Sequence, residues 1–177
     1  MSGLTRYAIP CLVFNVLSLI FLLCTIFTDF GVIQSYNDTA KQYTNEPHGI
    51  SVANMGASGD AMHTDPMDFD VCASIINRAL AIAICLGIVL TMATVFEIAS
   101  LSLERFMPGQ EVVAVTMPLV SLTLSVLLTL FVSEAQGYLA LHMGATTLMF
   151  AYTKDGPSLD FAIILVLCTV PNVAMAM

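Results

Sequence analysis

The chain has 177 residues, 58% of them hydrophobic and 10% charged, against about 25% charged in an ordinary soluble domain. That is too little polarity to cover a water-facing surface, so lipid must solvate much of the protein. The net charge of −8, from 13 acids and five bases, argues against nucleic acid as a partner and leaves no basic cluster to grip anionic headgroups.

Separate apolar runs of spanning length predict an all-α membrane protein, because a β-barrel would instead show alternating strands of about ten residues. After a short polar start with Arg6, the first run covers residues 8–28. It is too long for the apolar region of a signal peptide, and Asp29-Phe-Gly is a poor cleavage site, so a retained helix is expected. Pro10 falls in the first turn of this run, where proline is tolerated. Asn15 is its one strongly polar member and should face another helix, since an amide facing lipid would lack partners.

Residues 30–71 form a large outer loop, with glycines and prolines around an acidic cluster at Asp60, Asp65, Asp68 and Asp70. No clean alternation marks strands in it, although a small folded cap is compatible with its apolar content. Asn37-Asp-Thr39 matches the N-glycosylation acceptor pattern, in keeping with a luminal or extracellular face. His48 and His63 share this loop with the acids, but their spacing fits no metal-ligand pattern.

The second span, 73–103, is the longest apolar stretch and exceeds the roughly 20 residues a bilayer requires. It carries Arg78 near one end and Glu97 near the other, too far apart to pair. Arg78 reads as an interfacial residue that snorkels or pairs with Asp68 or Asp70, and Glu97 as a partner for Ser100, Arg105 or a neighbouring helix. A short connection containing Pro108-Gly109 leads to a third span, 112–133, with an extension as far as 152.

That extension leaves two readings open. A turn near Glu134 would create a fifth span, whereas a continuous helix would align Glu134, Tyr138 and His142 at i, i+4 and i+8 on one face. Ionisable groups at membrane depth mark ion or proton paths, so Glu134 with His142 is the candidate for transport. Thr153-Lys-Asp-Gly-Pro157 reads as a turn, and 159–177 as the last span. The basic residues are nearly balanced between the two sides, so they barely orient the chain.

The predicted architecture is a four-transmembrane-helix bundle with a large first extramembrane loop. Its layout resembles the claudin, peripheral myelin protein and amastin-like superfamily: a short inner start, a large first outer loop, a tight inner turn and a smaller second loop. The second helix carries the local similarity, in Asn77-Arg-Ala-Leu-Ala-Ile-Ala-Ile-Cys-Leu-Gly87. The resemblance implies that Arg78 marks the outer end of that span. The chain has no tryptophan, so the tryptophan and cysteine signature of the family's first loop is absent, and barrier sealing is not implied.

Four of the five cysteines, Cys11, Cys24, Cys85 and Cys168, lie inside apolar runs, and Cys72 stands at a boundary, which suits buried thiols better than disulfides. No phosphate loop, nucleophile with a base or zinc-helix motif occurs, so neither catalysis nor a cofactor is expected. Small residues at Ala79, Ala81, Ala83, Gly87, Gly144 and Ala145 favour close helix contacts, and eleven methionines give adaptable apolar surface. The absence of residues beyond Met177 speaks against a signalling adaptor.

The leading expectation is therefore a non-catalytic membrane protein that acts through packing and loop contacts, with lipid and other membrane subunits or its own copies as partners. The alternatives are a small channel or transporter and an accessory subunit of an organellar membrane complex. The corresponding locations are the plasma membrane or cell surface, or an organellar inner membrane.

Overall fold

A computed structural model describes residues 3–37, 42–50, 66–103, 110–146 and 151–176. In chain order the elements are α1 (Gly3–Phe27), β1 (Asp29–Asn37), β2 (Gln42–Gly49), α2 (Pro66–Leu103), α3 (Gln110–Thr146), β3 (Ala151–Asp155) and α4 (Ser158–Ala176). All four helices contain stretches long and apolar enough to cross a membrane: Ala8–Phe27, Ala73–Ser102, Val112–Tyr138 and Ser158–Met175. They close into a ring, α1 packing against α2 and α4, and α3 against the same two.

The ring interior follows from side-chain size and spacing. Buried positions recur in steps of three and four: Ala8, Cys11, Asn15, Ser18, Leu22 and Thr25 on α1, and Ser158, Ala162, Leu165, Thr169 and Asn172 on α4. Alternating steps of three and four keep one narrow seam facing the neighbours, as in a coiled coil. Many of these residues are small or hydroxylic, which lets the backbones approach. Many large aliphatic residues point the other way, with Ile84, Ile88, Met92, Val95, Leu130 and Leu167 all exposed, while Leu86, Leu90, Leu128 and Leu165 fill the interior. This polarity suits lipid outside and tight packing inside.

Hydroxyl groups stitch the helices together. Ser125 Oγ and Thr169 Oγ1 lie 3.2 Å apart between α3 and α4, and Thr129 Oγ1 donates to the Ala162 carbonyl at 3.2 Å. Ser158 Oγ at the start of α4 donates to the Thr25 carbonyl at 2.8 Å, capping a group that the end of α1 would leave unpaired.

Outside the helices a three-stranded antiparallel sheet has the order β2-β1-β3. Asn37 pairs with Gln42 in the β1–β2 hairpin, and Gly31 to Ser35 pair with Asp155 to Ala151. The sheet therefore joins the two connections at one end of the bundle, here termed the sheet end. Ile50, which follows β2, is 1% exposed and belongs to the same cluster as Ile75, Ile76 and Ala79 of α2. It anchors the sheet to the bundle.

Several boundaries differ from the sequence reading. Two strands occupy part of the 30–71 loop, and α2 begins at Pro66, placing Asp68 and Asp70 in its opening turns. A proline start and early carboxylates both favour a helix N-terminus there. The α3 helix is unbroken through Glu134, spanning 37 residues or about 55 Å, so no turn occurs at that point. Thr153, Lys154 and Asp155 belong to β3, and the chain turns at Gly156-Pro157 instead. Pro10 is interior to α1 because the helix starts at Gly3. Asp60, Asp65, His63 and the Pro108-Gly109 connection lie outside the described residues.

Candidate functional site

The end of the bundle away from the sheet carries an unusual concentration of polar side chains. Asn15 of α1 and Asn172 of α4 are 7% and 3% exposed, and Asn172 Nδ2 donates to Asn15 Oδ1 at 2.8 Å. The predicted inward orientation of Asn15 is thus realised, with a partner on the last helix. Asn172 Oδ1 is left buried without a hydrogen bond.

Glu97 of α2 faces the same region, and its Oε2 is also buried without a hydrogen-bond partner. Ser100 Oγ, one turn on, is buried and unpartnered too, so the expected Glu97–Ser100 bond does not form. Arg105, the other expected partner, lies outside the described residues. Arg78 is the nearest basic residue with a described side chain, and it is about 28 Å away along α2.

Asn15, Glu97 and Asn172 line a small cavity together with Cys11, Ala93, Phe96, and Val113, Ala114, Met117, Pro118 and Ser121 of α3. About 20 Å³ of it accepts a water-sized guest, roughly the space for a single molecule. All four helices contribute to its wall. Pro118 adds a feature of its own, because proline has no N–H and leaves the carbonyl four residues earlier without its helical donor. That carbonyl belongs to Ala114, itself a wall residue. Two side-chain oxygens of the lining residues lack hydrogen-bond partners, Glu97 Oε2 and Asn172 Oδ1.

The other sequence candidates fall elsewhere. Glu134 is exposed on α3, about 20 Å along that helix from Ser121 and towards the sheet end. Tyr138 packs partly buried against the apolar core, and His142 lies one further turn along α3. Their i, i+4, i+8 alignment is present, but Glu134 is not turned into the bundle. Arg78 and Asn77 are exposed on α2. Asn37 ends β1, whereas Asp38 and Thr39 of its acceptor pattern lie outside the described residues. Cys85 is exposed on α2 rather than buried.

Sequence reasoning singled out Asn15 and Glu97 but passed over Asn172, Ser121 and Pro118. The overlooked signal was an asparagine directly after Pro171 inside an apolar run, where an amide needs a partner on another helix. Among the described residues, no three of the histidines, cysteines, aspartates and glutamates gather closely enough to hold a metal ion. No protein-family model matches the sequence, and a search of curated proteins returns no match.

Proposed function

We propose that the chain is a non-catalytic tetraspan membrane protein that serves as a structural or interaction subunit, with the bundle in lipid and the sheet as its contact surface. The observation that carries this reading is the union of both sheet-end connections in one sheet, which is continuous with α1 through Asp29 and pinned by Ile50. A surface fixed to four helices presents its strand edges in a defined orientation, and edge strands carry backbone donors and acceptors suited to a partner strand.

The layout supports the claudin, peripheral myelin protein and amastin-like resemblance, which we propose as the family reading. Glycosylation at Asn37 and a cell-surface location belong to the same proposal, with an organellar complex as the alternative setting. A channel or transporter built on Glu134 and His142 finds less support, because Glu134 is exposed on the bundle exterior.

Native mass spectrometry of the protein released from gentle lipid particles tests the assignment. The wild type should appear as a defined assembly with itself or another membrane subunit. Replacing residues 42–49 by glycine and serine should dissolve that assembly and leave a helical monomer. A wild type that is monomeric in its own membrane would contradict the proposal.

A further inference from the structure

We infer that the cavity among Asn15, Glu97, Ser121 and Asn172 is a binding site for one monovalent alkali cation of sodium size. A carboxylate withdrawn from water is costly unless a positive charge or a proton accompanies it, and Glu97 Oε2 is buried without a hydrogen bond.

The remaining wall narrows the guest. Asn172, which lines the same cavity, is 3% exposed, and its Oδ1 has no hydrogen-bond partner. Its Nδ2 is engaged by Asn15, which fixes the amide so that the carbonyl oxygen is the end left over. On α3 the wall includes Ala114, whose carbonyl loses its helical donor to Pro118, and Ser121, which brings a hydroxyl. Carboxylate, amide and backbone carbonyl oxygens are hard ligands suited to alkali and alkaline-earth ions.

Size and charge then select within that group. One carboxylate balances one positive charge, and no second acidic or imidazole residue lines the cavity among the described residues. A divalent ion would retain excess charge in the membrane. The cavity offers about 20 Å³ to a water-sized guest, which suits one small ion.

The site can be tested on the full chain in lipid nanodiscs by equilibrium binding of radiolabelled sodium at constant ionic strength, with choline as the replacing cation. The wild type should bind one sodium per chain saturably, with lithium competing and choline not. Glu97→Gln and Asn172→Ala should each weaken binding by about tenfold, or ~1.4 kcal/mol, while Glu134→Gln on the bundle exterior should bind like the parent. If Glu97→Gln loses its helicity by circular dichroism, Asn172→Ala and Ser121→Ala carry the same comparison. No saturable sodium binding by the folded wild type, or parental binding by the folded site variants, would overturn the inference.

Discussion

The two ends of the bundle are built on opposite terms. Towards the sheet, the interior is mostly apolar, with Leu22, Ile75, Ile76, Ala79, Leu128, Val132 and Ala135 in one cluster with Ile50, and the buried hydroxyls of Thr25 and Ser158 are hydrogen-bonded. Towards the other end, Asn15, Ser18, Glu97, Ser100, Ser121 and Asn172 take over the same inward seam, and several of their oxygens lack partners. In the membrane, packing between well-fitted side chains holds helices together, whereas an unpaired polar atom in a dry interior costs free energy. The difference separates the half that maintains the fold from the half that carries a site.

Substitutions can sharpen that contrast. The largest loss is expected for Leu128→Ala, which empties a fully buried position at the sheet end. It should lower stability by about 2–5 kcal/mol in a reversible unfolding titration. Ser158→Ala comes next, because it strips the Thr25 carbonyl of its donor in a buried setting; a loss of about 1–3 kcal/mol is expected from the same titration. A double-mutant cycle of Asn15→Ala with Asn172→Ala should return a coupling of about 0.6 kcal/mol, typical of interhelical hydrogen bonds in a bilayer.

The smallest effect belongs to Glu97→Gln. In sodium-free medium it should change stability by less than about 0.5 kcal/mol in either direction, below the net worth of one hydrogen bond, because Oε2 has no hydrogen bond to lose. A loss comparable to that of Leu128→Ala would erase the proposed distinction between the two halves.

The extent to which these features were legible in the sequence follows the same physics. Uninterrupted apolar runs located the four helices because a span must satisfy its backbone internally and expose apolar side chains all round. The sheet was not legible. Its β1–β3 pairing joins residues 31–35 to 151–155, and neither segment alternates in polarity strongly enough to declare itself. The inward faces were hard to read for another reason. Helices in lipid place their large aliphatic residues outward, so the seam through Ser125, Thr169 and Ser158 is marked by small and polar residues, opposite to a water-soluble helix.

Within the site, Glu97 and Asn15 stood out as polar residues in apolar runs. What their sequence neighbourhoods did not contain was each other. Asn172 is 157 positions from Asn15, and only closure of α4 against α1 brings the amides together. The Glu134 and His142 stripe was drawn from correct helical periodicity, but periodicity alone does not state which face of α3 turns inward.

The most direct measurement is the unfolding midpoint of the wild type, Leu128→Ala and Glu97→Gln in the same bilayer, each in sodium and in choline at equal ionic strength. Sodium should raise the midpoint of the wild type and of Leu128→Ala by the same increment, since the two ends are independent, and should leave Glu97→Gln unmoved. An equal sodium response in all three proteins, or none in the wild type, would contradict the division of the bundle into a packing half and a binding half.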